Sequence, residues 1–158
     1  MALILDTNAL SAFVDGDSRL YGIIQAEPAL AIPTVALGEY LFGIRGSRYR
    51  SSYERWLEKH LPVFRILPVR LETAGFYAEI RVELKSKGSP IPTNDLWIAA
   101  LVRQHGWSLV SRDQHFDTVE HCIGSRGSCH NLIIFSDLIF LSALRVSKTS
   151  FALSTTAA

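Results

Sequence analysis

Short apolar runs alternate with longer segments of helical periodicity along most of this chain, and this alternation limits the fold more than any other feature. The apolar runs predict strands at residues 2–5, 29–32, 64–67 and 107–111. Between them, apolar residues recur three and four positions apart, which is typical of amphipathic helices. A repeating strand–helix order favours an α/β fold with a mainly parallel sheet, helices on both faces and right-handed crossovers.

The predicted helices fill the segments between these strands. They span residues 7–14, 18–27, 34–44, 51–61, 71–87 and 93–106. In the last of them, Thr93 is the candidate N-cap and Gly106 the candidate C-cap. One further strand is expected at 132–135, after a loop-like stretch at 123–131.

Length and charge set broad limits on function. The chain has 158 residues, the size of one domain, and a formal net charge of +1, so any nucleic-acid contact must come from a local patch. No apolar run approaches the roughly 20 residues of a membrane helix, and no basic segment precedes an apolar signal core. We therefore expect a cytoplasmic location and no membrane partner.

The C-terminal region differs in character from the rest. We expect the folded domain to cover residues 1–135 and a divergent tail, partly disordered, to cover 136–158, which ends in "SFALSTTAA". The stretch "HCIGSRGSCH" places Cys122 and Cys129 between His121 and His130. A zinc site is conceivable there, but paired cysteine ligands usually lie two to four residues apart. We favour reduced thiols in a loop.

Two aspartates follow predicted strands. Asp6 closes the first strand in "LILDTNAL", and Asp113 follows the "SLVS" strand. Each could simply cap the helix that follows, a role in which aspartate contributes about 0.5–2 kcal/mol. If both strands lie centrally in one parallel sheet, however, the two carboxylates emerge at the edge where ligands bind in open α/β sheets.

Two further acids accompany apolar helices. Asp95 lies in the first turn of a helix that is apolar nearly all round, where it complements the helix dipole but also faces a cleft. Glu39 has Val35, Ala36, Phe42 and Gly43 as its helical neighbours. A carboxylate on such a face needs partners or a metal, unless its head reaches water.

Together the four acids suggest a metal site. Carboxylates brought close to one another repel unless protons or cations intervene. Hard divalent ions such as Mg²⁺ or Mn²⁺ suit an all-oxygen set of ligands. We therefore predict that Asp6, Glu39, Asp95 and Asp113 share one pocket.

Four segments carry a family resemblance that covers roughly residues 2 to 119. "LILDTNAL", "TVALGEYLFGI", "PTNDLWIAALVRQHG" and "LVSRDQHFDTV" resemble, in order and spacing, the acid-bearing segments of the PIN-domain family, and most of all its VapC-type toxins. The resemblance implies a three-layer α/β/α PIN-like fold. The region from "HCIGSRGSCHN" onward departs from the family pattern, which usually ends soon after one more strand.

The resemblance also implies a function. It implies a Mg²⁺- or Mn²⁺-dependent endoribonuclease whose catalytic and metal-binding residues are Asp6, Glu39, Asp95 and Asp113, with Asn8 and Asp117 as accessory positions. Hydrolysis would leave a 5′-phosphate and a 3′-hydroxyl. Toxins of this class are similar in being homodimers that a cognate antitoxin silences, with contact to promoter DNA supplied through the antitoxin.

Other interpretations stay open at this point. Arginines at 45, 48, 50 and 55, interleaved with Tyr49, Tyr53 and Trp56, form either an RNA-binding patch or a solvated face in which Trp56 packs into the core. His105 and His115 are expected to be structural rather than acid–base groups. The principal alternative function is a catalytically inactive PIN-like module that binds RNA or protein. A receiver domain or an aspartyl phosphatase fits poorly, because "PVR" follows the third strand and Asn8 stands two positions after Asp6.

Overall fold

A computed structural model describes residues 2–25 and 29–119 and the backbone of 132–134. One sheet contains the strands β1 (Leu3–Leu5), β2 (Leu30–Pro33), β3 (Phe64–Leu67), β4 (Ser108–Ser111) and β5 (Leu132–Ile134). Their order is β3-β2-β1-β4-β5, and every adjacent pair is parallel. The parallel α/β architecture predicted from the sequence is confirmed.

Six α-helices connect the strands: α1 (Thr7–Val14), α2 (Ser18–Ile24), α3 (Thr34–Arg45), α4 (Arg50–His60), α5 (Leu71–Ser86) and α6 (Thr93–His105). Short 3₁₀ segments lie at Leu61–Val63 and Gln114–Thr118. The chain passes from β1 to β2 to β3 in one direction and then returns across β1 to β4. Because the right-handed crossovers run in one direction before β3 and in the opposite direction after it, helices α1 to α4 lie on one face of the sheet. Helices α5 and α6 lie on the other face, which gives three layers.

The central strand is the most deeply buried part of the sheet. Leu3, Ile4 and Leu5 of β1 are all buried, with at most 1% of each side chain exposed. Burying one such side chain contributes about 1.5–3 kcal/mol. A shift of β1 by one residue would disrupt this packing, so the register of the strand, and of the residue that follows it, is fixed.

Helix α6 is buried over most of its length, as its apolar sequence predicts. Its buried residues are Leu96, Ile98, Ala99, Ala100, Leu101 and Val102. Arg103 of α6 donates to both carboxylate oxygens of Glu83 in α5, at 2.8 Å each, which ties the two helices together. The buried residues and this ion pair fix α6 in the domain, and with it the first turn that carries Asp95.

The ends of α6 differ in how well the sequence predicted them. Gly106 adopts the left-handed conformation with φ of 62°, as a glycine C-cap should. The predicted N-cap was wrong by one position, because Pro92 occupies the cap and Thr93 is the first helical residue. The hydroxyl of Thr93 therefore has no capping role there, since no side-chain cap bond forms at this end.

Several predictions fall outside the described residues. They are the boundary at 135, the tail 136–158, and the candidate zinc ligands His121, Cys122, Cys129 and His130. Within the described part of the chain, no helix combines the length and the apolar character needed to cross a bilayer.

Candidate active site

The acidic residues lie where the strand order reverses. From β1 the chain proceeds to β2 on one side, whereas β4 lies on the other side. In parallel sheets, the crevice at such a switch point, beyond the carboxyl ends of the strands, is the usual ligand site. Asp6 directly follows β1, and Asp113 comes two residues after the end of β4, so the two aspartates flank this crevice.

Asp6 forms the buried floor of the crevice and is 3% exposed. Its Oδ1 accepts a hydrogen bond from the backbone N–H of Ala9 at 2.6 Å, which caps α1. Its Oδ2 accepts from the hydroxyl of Ser111. The pKa of Asp6 is raised to about 6. Burial is the main cause; the two hydrogen bonds lower the pKa, and the charges of Asp95 and Asp113 raise it again.

Ser111 connects the two strand ends. Its buried hydroxyl donates to Asp6 and accepts from the backbone N–H of Asp113 at 2.8 Å. One side chain at the end of β4 therefore positions both aspartates. Sequence reasoning did not identify Ser111, and its one available signal was a small polar residue at the end of an apolar strand.

Asp95, Asp113 and His115 form a close group at the rim of the crevice. The Nδ1 atom of His115 lies 3.0 Å from Oδ2 of Asp95 and 3.0 Å from Oδ1 of Asp113. One donor atom from each of the three residues lies within 4.8 Å of the other two. Asp113 also caps the 3₁₀ turn by accepting from the backbone N–H of His115 at 2.9 Å.

The carboxylate of Asp95 lies among like charges. Burial raises the pKa of Asp95, and the charges of Asp113 and Glu39 raise it further, while the hydrogen bond and charge of His115 lower it. Asp95 is in the first turn of α6, as predicted, and is half-buried. Its ionised form therefore gains from any nearby cation.

Glu39 joins the site through neutral donors. Its Oε2 accepts from the hydroxyl of Thr7 at 2.5 Å, and its Oε1 accepts from the side-chain amide of Asn94 at 2.6 Å. Thr7 follows Asp6 and Asn94 precedes Asp95, so the starts of α1 and α6 meet on the Glu39 carboxylate. Asp6 is linked to Asp113 through the hydroxyl of Ser111, and Glu39 is linked through Asn94 to the start of α6. Neither acid belongs to the rim group of Asp95, Asp113 and His115.

The donors fit a divalent cation. Carboxylate oxygens converge from two strand ends and two helices. Burial raises the pKa of both Asp6 and Asp95, and the repulsion from neighbouring carboxylates raises it further. A cation between them would remove that repulsion. Carboxylate oxygens suit Mg²⁺ and Mn²⁺, and the imidazole of His115 adds a nitrogen donor that an all-oxygen set lacks.

Three arginines of the predicted cluster, Arg48, Arg50 and Arg55, contact groups close to them in the chain. Arg50 pairs with Glu54 at 2.6 Å, and the guanidinium of Arg48 lies 4.7 Å from the centre of the Tyr49 ring. Farther along, Arg112 lies next to Asp113 but pairs with Asp17 at 2.5 Å.

Two aromatic side chains of the predicted patch, Trp56 and Tyr53, contact other residues of the domain. Trp56 packs against the core and stacks on His60, so the core interpretation of Trp56 is confirmed. The hydroxyl of Tyr53 donates to Asp15 at 3.2 Å. The accessory candidates Asn8 and Asp117 are both exposed.

Residues 3–121 match the family profile described as PIN domain. Toxin FitB of Neisseria gonorrhoeae is 33% identical over 122 residues, which cover 70% of this chain and 87% of that protein. VapC ribonuclease Y4jK of Sinorhizobium fredii is 28% identical over 121 residues, which cover 70% of this chain and 86% of its own length.

Solved structures show the same fold. FitAcB from Neisseria gonorrhoeae superposes with a TM-score of 0.67 at 27% identity, over 73% of this chain and 91% of that one. VapBC2 from Rickettsia felis, bound to a DNA fragment from its promoter, gives a TM-score of 0.69 at 24% identity, over 76% and 94%. The residues that match the PIN-domain profile, 3–121, include all four acids that the sequence singled out.

Proposed function

The chain belongs to the PIN-domain family, and from that premise we propose that it is a metal-dependent endoribonuclease, the toxin of a type II toxin–antitoxin pair. The observation that carries the proposal is the convergence of Asp6, Asp95 and Asp113 at the switch point of the sheet, with Glu39 held beside them. Relatives named as a toxin and as a ribonuclease support it.

The proposed reaction is hydrolysis of an RNA phosphodiester bond. A bound Mg²⁺ or Mn²⁺ would lower the pKa of a water molecule and neutralise charge on the phosphate. Asp6, Asp95 and Asp113 are the proposed residues that hold the ion, with Glu39 contributing directly or through a water. The water oxygen forms the new bond to phosphorus and the bond to the 3′ oxygen breaks, leaving a 5′-phosphate and a 3′-hydroxyl.

Each of the four acids has a proposed role in this reaction that follows from its surroundings. Fixed donors hold both oxygens of Asp6, so its position is set before substrate arrives. Asp95 and Asp113 present half-buried carboxylates toward the crevice. Glu39, oriented by Thr7 and Asn94, can accept hydrogen bonds from the attacking water.

Helix α3 supports a role for partners next to the site. Phe42, which lies nearly one helical turn from Glu39, is 80% exposed, and the preceding residue Leu41 is 39% exposed. A side chain placed at Gly38 or Gly43 would meet nothing within 4 Å. We propose that this open apolar surface receives a segment of the cognate antitoxin, by analogy with VapBC-5 from Mycobacterium tuberculosis, a structure described as a member of the VapBC family of toxin–antitoxin systems.

The wider assembly is proposed on the same analogy. We propose a cytoplasmic homodimer whose contact with DNA is made through the antitoxin. The near-neutral charge of the chain supports an indirect DNA contact, because direct binding to a duplex usually requires many basic side chains.

The test is a cleavage assay on single-stranded RNA with Mn²⁺ or Mg²⁺, with and without a chelator. Asp95→Asn should reduce cleavage by about 100-fold or more, because it removes a charge that the reaction requires. Glu79→Gln, which neutralises an exposed glutamate on α5, is the matched control and should leave the rate unchanged. Absence of cleavage by the wild type, or equal rates in all three proteins, would instead favour the inactive binding module.

A further inference from the structure

His115 is the most exposed member of the rim group, yet its ring is not directed freely into solvent. The side chain is 48% exposed, and its Nδ1 atom lies between the carboxylates of Asp95 and Asp113. Neither a helix cap nor core packing requires an imidazole at this position. The position of the ring therefore needs an explanation in terms of the site.

The spacing of the donor atoms is that of ligands on one ion. Two ligand atoms with bonds of about 2.1 Å that meet at a right angle are about 3 Å apart. Nδ1 of His115 lies 3.0 Å from one oxygen of Asp95 and 3.0 Å from one oxygen of Asp113. All three donor atoms lie within 4.8 Å of one another, which is compatible with adjacent or opposite positions around a single cation.

The backbone holds His115 in place from both sides. Its N–H donates to the carboxylate of Asp113 at 2.9 Å, and its carbonyl accepts from the hydroxyl of Thr118 at 2.9 Å. The next residue, Phe116, is buried in the core. The imidazole therefore projects from an anchored turn, and ordering it on metal binding requires little loss of conformational freedom.

We propose that Nδ1 of His115 is a metal ligand together with Asp95 and Asp113, and that this nitrogen gives the site a preference for Mn²⁺-class transition ions over Mg²⁺. The inference rests on the proposed metal-dependent function. Mg²⁺ binds oxygen donors almost exclusively, whereas imidazole is a favourable ligand for transition metals. The alternative is that His115 only spaces the two carboxylates through hydrogen bonds and leaves the ion to oxygen ligands.

The experiment is a Mn²⁺ titration followed by electron paramagnetic resonance, with a pulsed measurement of nitrogen hyperfine coupling to the bound ion. The proteins are the wild type, His115→Ala, Asp95→Asn, and His60→Ala as a matched histidine control. His60 lies on α4 and stacks on Trp56. Competition with Mg²⁺ on the same samples gives the ratio of the two affinities.

We expect nitrogen coupling in the wild type and in His60→Ala, and its loss in His115→Ala. The affinity of His115→Ala for Mn²⁺ should fall by about tenfold or more, while its affinity for Mg²⁺ should change by less than about threefold. Circular dichroism should show the same fold in all four proteins.

The other outcomes distinguish the ligand role of His115 from the existence of the metal site itself. Suppose that Asp95→Asn loses Mn²⁺, that His115→Ala binds it as tightly as the wild type, and that neither the wild type nor His115→Ala shows nitrogen coupling. Then His115 is not a ligand, and the carboxylate site stands. If no Mn²⁺ binding depends on Asp95, both this inference and the proposed metal site are wrong.

Discussion

Asp6 and Asp113 perform the same local task in very different surroundings. Each follows a strand and caps the segment after it, Asp6 by accepting from the N–H of Ala9 and Asp113 from that of His115. Asp6 is buried with both oxygens bonded to fixed donors, whereas Asp113 is half-buried and shares its carboxylate with an exposed imidazole. A capping role therefore does not predict how buried an aspartate is or what other partners it has. The burial of the aspartate depends on where the preceding strand lies in the sheet.

The contrast divides the site into two parts with different demands. The floor, Asp6 and Ser111, is rigid, and its charge is poorly solvated. The rim, Asp95, Asp113 and His115, is open and close to solvent. A site that must place a cation and still admit a substrate benefits from one fixed ligand and several accessible ones.

The largest expected effect comes from Asp6→Asn. Cleavage of RNA should fall by about 100-fold or more, because a charge at the proposed metal site is removed. Stability should instead rise, because asparagine buries no charge. Its amide oxygen can still accept from the N–H of Ala9, and its amide nitrogen can donate to the hydroxyl oxygen of Ser111, which reverses the direction of that second bond. In chelator at pH 8, the free energy of unfolding should rise by up to about 3 kcal/mol, since one pKa unit corresponds to about 1.4 kcal/mol.

Asp113→Asn provides the comparison for that variant. It should also reduce cleavage, but its stability should stay within about 0.5 kcal/mol of the wild type, because asparagine caps as well as aspartate. Urea denaturation of both variants measures the difference. Equal stability changes in the two variants would show that floor and rim do not differ as described.

The second effect is the pH dependence of stability without metal. Burial raises the pKa of Asp6 from 3.8 to about 6. Between these values the folded state holds a proton that the unfolded state has released, so the stabilisation is present below about pH 4 and is lost as pH rises through 6. The wild type should lose up to about 3 kcal/mol relative to Asp6→Asn over this range.

Urea denaturation in chelator from pH 4 to pH 8 measures that difference. Subtracting the Asp6→Asn curve removes contributions from other groups, such as Asp17, whose hydrogen bond with Arg19 lowers its pKa to about 2. A difference that is flat with pH would mean that the carboxyl of Asp6 is not poorly solvated.

The smallest effect concerns the residues that support the acids. Ser111→Ala removes a buried donor to Asp6 and should destabilise the fold by about 1–3 kcal/mol. Asn94→Ala removes a donor to Glu39 at the exposed rim and should cost less than about 0.5 kcal/mol. Thermal unfolding of the two variants compares them directly, and a larger loss for Asn94→Ala would reverse the assignment of floor and rim.

The sequence was sufficient for the fold because the relevant signals are local. Apolar alternation predicted all four strands from β1 to β4 and all six helices, and Gly106 marked the end of α6 correctly. The position of Asp95 in a first turn followed from the same helical pattern. Where the local rule was ambiguous, at Pro92 and Thr93, the prediction was wrong by one residue.

The contacts within the site could not be predicted in the same way. Thr7 and Glu39 are 32 residues apart, and Ser111 and Asp6 are 105 apart, so nothing near either residue indicates the pairing. The position of His115 between two carboxylates likewise depends on where α6 meets the end of β4. We expected a structural role for His115, and its placement instead makes it a candidate ligand.

The order of the strands has a consequence for synthesis of the protein. The first strand made, β1, pairs with β4, whose last residue is number 111, and the rim is complete only at residue 115. A nascent chain on the ribosome therefore lacks Asp113, His115 and one neighbour of β1 until the segment up to residue 115 has been made. In the proposed toxin, cleavage activity would be withheld until residue 115 has been made and folded, which leaves an interval in which an antitoxin can engage the chain before it is active.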